Sequence, residues 1–203
     1  GFDLAKRMED HISSYSDIVD IKLGEKAVSV KKIPSSEISG AYDFEVSTYA
    51  GGIYTGKALM LACGARRRKL GVPGEKELDG KGVAYCSTCD APLFAGKEVV
   101  VIGGGNAGLE AAVDLIPYAT KIYLLEFGDT LKGDPVTQEK IRTSPKAEII
   151  LNAQSKEVIG DKFVSGLKYL DRKTNEEKLL NVQGVFVEIG SVPNSEMVKD
   201  LVS

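Results

Sequence analysis

The hydrophobic period of this chain changes several times, and each change marks an element. Leu4, Met8 and Ile12 recur every fourth residue, which predicts an amphipathic helix through about Ile12. Short β-rich runs follow at Ile18 to Leu23 and Ala27 to Ile33. Tyr42-Asp-Phe-Glu-Val-Ser-Thr48 alternates with period two, as a half-buried strand does. Past the Gly51-Gly52 turn, Ile53 to Lys57 begins another strand. This segment reads as a small antiparallel meander with no chemistry of its own. Lys57-Ala-Leu-Met-Leu-Ala-Cys-Gly64-Ala65 is continuously apolar, the pattern of a strand buried on both faces. Cys63 inside it is therefore expected to be a buried, inert small residue.

Arg66-Arg-Arg-Lys69 follows, a basic run that reads either as a solvated face or as a phosphate contact. Leu70-Gly-Val-Pro73-Gly74-Glu75 is rich in Pro and Gly and is the best candidate domain boundary. Beyond it Lys97-Glu-Val-Val-Val-Ile-Gly103 is a strand, Ala107 to Leu115 a helix with Leu109, Val113 and Ile116 toward the sheet, and Lys121-Ile-Tyr-Leu-Leu-Glu126 a second strand. Thr143-Ser-Pro145 breaks the chain before a short strand at Glu148 to Leu151. Phe163 to Asp171 and Lys178 to Val182, joined at Lys173-Thr-Asn175, have a hairpin pattern. Gly184-Val-Phe-Val-Glu-Ile-Gly190 is a last strand, and Ser195 to Ser203 has the start of a helix.

Between the first of these strands and the helix lies Gly103-x-Gly105-x-x-Gly108, placed where a dinucleotide-binding turn requires it. Gly103 permits the tight turn, Gly105 lets a pyrophosphate approach the backbone, and Gly108 allows close packing of helix on strand. The amides at the helix start, at Asn106 and Ala107, then hold phosphates. Glu126, about 20 residues on, is placed to accept hydrogen bonds from ribose hydroxyls. A carboxylate there repels a 2′-phosphate. The next residues, Phe127-Gly-Asp129-Thr-Leu-Lys132, offer one cation, so NADH is favoured over NADPH.

A few residues upstream stands Cys86-Ser-Thr-Cys89-Asp90. Two cysteines at this spacing can cycle between dithiol and disulfide, with one thiol made more acidic. Asp90 offers a carboxylate to carry the proton. The other readings are half of a zinc site or two buried cysteines. Only three cysteines and one histidine, His11, are present, which argues against a tetrahedral zinc site and leaves a hydrolase triad no histidine but that one. No metal is expected. The cysteine count also argues against a secreted disulfide scaffold and favours a reducing, cytoplasmic setting. A net charge of −3 makes no case for nucleic acid, and no apolar run approaches the roughly 20 residues needed to span a bilayer.

Tyr85-Cys-Ser-Thr-Cys-Asp-Ala-Pro-Leu-Phe94 followed by Val101-Ile-Gly-Gly-Gly-Asn-Ala-Gly-Leu-Glu-Ala-Ala112 closely resembles the low-molecular-weight thioredoxin reductases. It is similar above all to the flavoprotein subunit of alkyl hydroperoxide reductase, within the pyridine nucleotide-disulfide oxidoreductases. Ala62-Cys-Gly-Ala65, Val72-Pro-Gly-Glu75, Leu124-Leu-Glu-Phe127, Ile149-Ile-Leu-Asn-Ala-Gln154 and Phe186-Val-Glu-Ile-Gly-Ser-Val-Pro-Asn194 extend the likeness over essentially the whole chain.

The resemblance implies an α/β fold: a Rossmann-like three-layer ββα nicotinamide-binding domain plus part of a second, FAD-type α/β domain. Residues 1–71 would be partial FAD domain, 72–190 the NAD(P) domain carrying the redox pair, and 191–203 the return to the FAD domain. Electrons would pass from NADH or NADPH through FAD to Cys86–Cys89, then to a thioredoxin-like or peroxiredoxin partner. Cys89 would lie against the flavin, Cys86 would attack the partner disulfide, and Asp90 would act as acid and base. Ala62, Gly64 and Ala65 would line the FAD side, and Phe127, Ile189 and Gly190 would lie along the nicotinamide nucleotide. The two domains would rotate about hinges near Leu70 to Gly74 and Gly190 to Asn194, within a homodimer. The family's own N-terminal Gly-x-Gly-x-x-Gly and its C-terminal Gly-Asp segment have no counterpart in this sequence. The chain therefore reads as part of a longer enzyme, expected to bind nicotinamide nucleotide but to hold FAD poorly and turn over no disulfide. The alternative is a non-catalytic nucleotide-binding or redox-sensing module.

Overall fold

A computed structural model describes residues 1–201, divided into two compact units. The first comprises Gly1–Gly64 and the chain from Pro193 onward. Helix α1 (Phe2–Ser13) forms where the four-residue spacing predicts it, and none of its residues is buried. Strands β1 (Ala27–Pro34), β2 (Tyr42–Thr48) and β3 (Ile53–Gly56) make an antiparallel sheet in that order, with Val30 opposite Val46. Gly51 turns the second hairpin at φ 88°, and the Thr48 amide closes it on the Gly52 carbonyl at 2.9 Å. The expected strand at Ile18 to Leu23 is absent. That run is turn and coil, with Ile18 and Leu23 exposed.

A second expectation also fails. Residues 57–64 form no strand, and the segment is largely exposed. An apolar run becomes a doubly buried strand only when other strands flank it. Here only the last residues pair, as β4 (Ala65–Arg67) beside Ser191–Pro193. Cys63 is accordingly an exposed free thiol and not a buried one. The helix expected over Ser195 to Ser203 is a single 3-10 turn at Glu196–Val198, and its last two positions lie outside the described residues.

The second unit, Ala65–Val192, is built on five parallel strands. In chain order it contains β5 (Val83–Ala84), α2 (Ser87–Asp90), a 3-10 turn (Ala91–Phe94), β6 (Glu98–Ile102), α3 (Asn106–Leu115) and β7 (Lys121–Leu125). Next come α4 (Pro135–Arg142), β8 (Ala147–Ile150), β9 (Ala153–Gly160), β10 (Val164–Asp171), β11 (Glu176–Leu180), β12 (Gly184–Val187) and all but the last residue of β13 (Ser191–Pro193). The parallel order is β5-β12-β6-β7-β8, and β9, β10 and β11 form a separate antiparallel sheet.

Side-chain alternation along the central strands sets the layers. Val99 and Val101 of β6, with Ile122 and Leu124 of β7, pack on Leu109, Ala112 and Leu115 of α3. Their neighbours Val100, Ile102 and Leu125 pack instead on Val158, Val164, Leu167 and Tyr169 of the antiparallel sheet. The middle strands are thus buried on both faces, which is why β6 reads as an unbroken apolar run. Helix α4 and strand β9 were not legible as periodic runs. The start of α4 does carry a local signal: Asp134 accepts from the Thr137 amide at 2.9 Å, with Pro135 at the first helical position.

The Pro/Gly stretch before β5 is tied down by a buried carboxylate. Glu75 accepts from the Leu70 amide at 2.9 Å, the Gly71 amide at 2.7 Å and the Tyr85 hydroxyl at 3.0 Å. Gly74 has φ 81°, and a Cβ there would stand 1.9 Å from the Val158 carbonyl oxygen. Charge-assisted bonds of this kind each contribute about 1.5–3 kcal/mol. Glu75→Ala is therefore expected to lower stability by about 2–3 kcal/mol, read as a shift of the urea midpoint with unchanged slope. An unshifted midpoint would remove Glu75 from this role.

Candidate functional site

A cleft of about 970 Å³ opens at the carboxyl ends of β6, β7 and β12, wholly within the second unit. This is the place where open parallel sheets bind ligands. Gly103 ends β6 with φ 123°, and a Cβ there would lie 2.3 Å from the Glu188 carbonyl oxygen. A Cβ on Gly108 would lie 1.8 Å from the Gly103 carbonyl oxygen, so α3 sits directly on the turn. Gly105 differs from both. Nothing stands within 4 Å of its missing Cβ, and its φ of −85° is open to any residue.

A helix leaves its first amides without intrahelical acceptors. Here they belong to Asn106, Ala107 and Gly108, and no side chain caps them. Gly105, Asn106 and Ala107 line the cleft beside these donors. The lining also includes Ser155, whose buried Oγ has no hydrogen-bond partner among the described residues. Orphan donors and an open glycine on one cleft fit a dinucleotide's pyrophosphate.

Glu126 lines the same cleft, but its first task is structural. One carboxylate oxygen accepts from the Gly104 amide at 2.6 Å and the other from the Gly128 amide at 2.7 Å. A carboxylate has about four lone-pair sites, so it can still accept from a ribose hydroxyl while bracing the turn. Phe127 also lines the cleft. The Arg172 guanidinium lies 3.9 Å from its ring centroid and donates to the Phe127 carbonyl at 2.8 Å. The sequence after Glu126 shows one cation, Lys132. The fold brings a second, Arg172, from 45 residues further on. Ile189 and Gly190 line the cleft as well, with Gly190 at φ 95°.

The residues of the basic run go to different places. Arg68 lines the cleft. Arg67 pairs with Glu188 at 3.6 Å, and Lys69 pairs with Asp79 at 3.3 Å and lies 3.4 Å over the Tyr85 ring.

Cys86 and Cys89 are joined as a disulfide with Cα atoms 5.4 Å apart, a normal span for the bond. Cys86 stands in extended conformation at the start of α2 and is half-buried, whereas Cys89 is exposed. Asp90 follows, half-buried, its amide donating to the Cys86 carbonyl at 3.1 Å. The turn is fastened to α3: the Ser87 hydroxyl donates to Asp114 at 2.9 Å and that of Thr88 at 3.4 Å. Neither Asp114 nor Glu188 stood out in the sequence, because each gains its meaning from a distant partner. Burial pushes the Glu188 carboxyl above the usual carboxylate range, and Arg67 and the Ser87 amide partly offset this.

Ala62 and Gly64 are exposed coil in the first unit, and Ala65 opens β4, also exposed. The Asn194 side chain donates to the Cys63 carbonyl at 2.9 Å, and the Asn194 amide donates to the Gly64 carbonyl at 3.0 Å. Among the described residues no cluster of three His, Cys, Asp or Glu could hold a metal, and no helix is long and apolar enough to cross a membrane.

These features converge on one class of protein. Residues 3–202 match the family model described as "Pyridine nucleotide-disulphide oxidoreductase", and the chain belongs to that family. The chain is 43% identical over 199 residues to a protein named NADH dehydrogenase from Bacillus subtilis (strain 168), covering 98% of this chain and 37% of the relative. It is 44% identical over 198 residues to the F subunit of alkyl hydroperoxide reductase of Pseudomonas aeruginosa, covering 97% and 37%. Thioredoxin reductase from T. acidophilum has a similar structure, with a TM-score of 0.74, 38% identity, and coverage of 98% of this chain and 62% of that one. The chain spans little more than a third of the length of these curated relatives.

Proposed function

We propose that this chain carries the nicotinamide-nucleotide site and the redox-active dithiol of a flavin-dependent disulfide reductase. In the net reaction NAD(P)H gives up two electrons and a proton. The disulfide takes up those electrons with two protons, the second from solvent, and becomes the dithiol. The observation that carries this reading is the placement of both features on one unit: the uncapped Gly103–Gly108 turn, and a Cys86–Cys89 disulfide whose turn is hydrogen-bonded, through Ser87, to the helix that the glycine turn begins.

NADH is favoured over NADPH because Glu126, which lines the cleft and is assigned to the ribose hydroxyls, would repel a 2′-phosphate. The nearby cations Lys132 and Arg172 narrow that preference, and Arg172 is already engaged with Phe127. Bound FAD would supply the two-electron link between nicotinamide and disulfide, with Ala62, Gly64 and Ala65 on its side. Cys89, the exposed cysteine, is assigned to face the flavin. Cys86 then attacks the partner's disulfide, and Asp90 holds the proton exchanged with the thiol. The relatives named for alkyl hydroperoxide reductase and thioredoxin reductase support a peroxiredoxin or thioredoxin-like partner. A cytoplasmic homodimer, with residues 1–71 and 191–203 on the FAD side and 72–190 as the NAD(P) domain, completes the proposal.

The test begins with the 203-residue chain. Calorimetric titration should show NADH binding more tightly than NADPH. Equilibration against dithiothreitol, followed by peptide-resolved alkylation, should show Cys86 and Cys89 exchanging together and Cys63 reacting independently. In a polypeptide that also carries the flavin, Cys89→Ser should abolish NADH-driven reduction of a partner disulfide. Failure to bind either nucleotide, or unlinked behaviour of Cys86 and Cys89, would end this reading.

A further inference from the structure

The disulfide turn is gripped by two carboxylates from different elements. Asp114, on α3, accepts from the Ser87 hydroxyl at 2.9 Å and the Thr88 hydroxyl at 3.4 Å. Glu188 follows β12, and the Ser87 backbone amide, on the peptide bond that joins Cys86 to the turn, favours its charged form against the burial that disfavours it. Its side chain is only 4% exposed, and Arg67 on β4 stands 3.6 Å away. Ser87 and the Glu188 side chain are buried, whereas Thr88 is exposed and Asp114 half-buried, so water is largely excluded on the Glu188 side of the turn. There, charge acts at a lower effective dielectric than at the surface.

We propose that Glu188 and Asp114 are positioning residues of the dithiol. They hold the Cys86–Cys89 turn through Ser87 and Thr88, and their negative charge keeps its thiols less acidic than the turn alone would make them. The proposal rests on the reading of Cys86–Cys89 as a reducible pair.

Two effects act in the same direction. The backbone amide and hydroxyls that would otherwise be free to stabilise a thiolate are already engaged by carboxylates. Each carboxylate also adds a nearby like charge, which disfavours the thiolate form. Arg67 opposes Glu188 and is half-exposed. Asp90 follows Cys89 directly, and Lys69 lies over the ring of Tyr85, the residue before Cys86. The balance of charge against Ser87 is therefore set by Glu188 and Asp114 against Arg67.

The arrangement also bears on the nucleotide cleft. Glu188 lines that cleft, and its carbonyl oxygen packs against Gly103 at the phosphate turn. One residue thus touches both the phosphate turn and the disulfide turn.

The test uses the reduced 203-residue chain and its Glu188→Gln and Asp114→Asn variants, each of similar shape without the charge. Alkylation rates at Cys86 and Cys89 are measured from about pH 5 to 10 and resolved by peptide mass. In each variant the midpoint of the faster cysteine should move about 0.5 unit or more to lower pH, raising its rate near neutrality about threefold. Glutamine keeps an acceptor for the Ser87 amide, so a purely structural role for Glu188 would leave the midpoint in place. Curves that superimpose on the parent in either folded variant overturn the proposal. Should Glu188→Gln not fold, the half-exposed Asp114→Asn decides alone. Reduction and reoxidation of the parent chain are scored first. A pair that does not cycle refutes the functional reading, whereas a pair that cycles with an unmoved midpoint refutes only this one.

Discussion

Gly105→Val is expected to leave the fold intact and to remove nicotinamide-nucleotide binding. Nothing lies within 4 Å of the Cβ position at Gly105, and its backbone is in the extended region that β-branched residues adopt readily. The cost to folding is that of a poor helix N-cap, about 1 kcal/mol or less. The cost to binding is larger. If the cleft takes a dinucleotide as proposed, the new side chain would fill the space through which its pyrophosphate reaches the amides of Asn106 and Ala107. Charge-assisted hydrogen bonds contribute about 1.5–3 kcal/mol each, so losing two weakens NADH binding by roughly 100-fold or more. Fluorescence titration with NADH, beside a thermal melt, separates the two effects. Undiminished affinity in the variant would show that the phosphates lie elsewhere.

Gly108→Val should do the opposite and strike the fold first. Its Cβ would stand 1.8 Å from the Gly103 carbonyl oxygen and 2.8 Å from the carbonyl carbon, both backbone atoms. Neither can rotate aside as a side chain would. Helix α3 must lift from β6, which loosens the packing of Leu109, Ala112 and Leu115 on Val99 and Val101. Overpacking of this kind costs about 3 kcal/mol or more when backbone is in the way. In a chain of this size that is a fall in Tm of roughly 6–12 °C. A melt within about 2 °C of the parent would show that the helix has room the geometry does not suggest. The contrast between Gly105 and Gly108 is the sharper test, since both belong to one motif and only one should spare stability.

The pH dependence of stability has a definite sign. Burial raises the folded-state pKa of Glu188 above its unfolded value, so its contribution is present at low pH and is lost as pH rises through the folded pKa. Glu188→Gln should therefore stabilise the fold more near pH 7 than near pH 4, read as the difference in Tm between the two proteins.

Much of the second unit was legible from one dimension. The run Val99 to Ile102, the three glycines and the apolar face of the following helix are local patterns, and here the fold supplied the partners that each of them needs. The period-two stretch Tyr42 to Thr48 is a strand for the same reason. Where a pattern needed a partner, reading along the chain failed. Lys57 to Gly64 has the composition of a doubly buried strand, but no strand flanks those residues here, so the segment is largely exposed coil and Cys63 is an open thiol.

The site divides along the same line. The sequence alone marked the candidates for chemistry: a glycine turn able to take phosphate, and two cysteines close enough in the chain to join. Backbone conformation and short spacing require no knowledge of the rest of the molecule. Only the tertiary structure decided what those residues work against. It engaged both oxygens of Glu126 with the amides of Gly104 and Gly128, and brought Arg172 over Phe127 from a hairpin 45 residues away. It also set Asp114 and Glu188 against the dithiol turn. Electrostatics and desolvation act through space, and a chain read in order carries no record of which charges its folding will bring together.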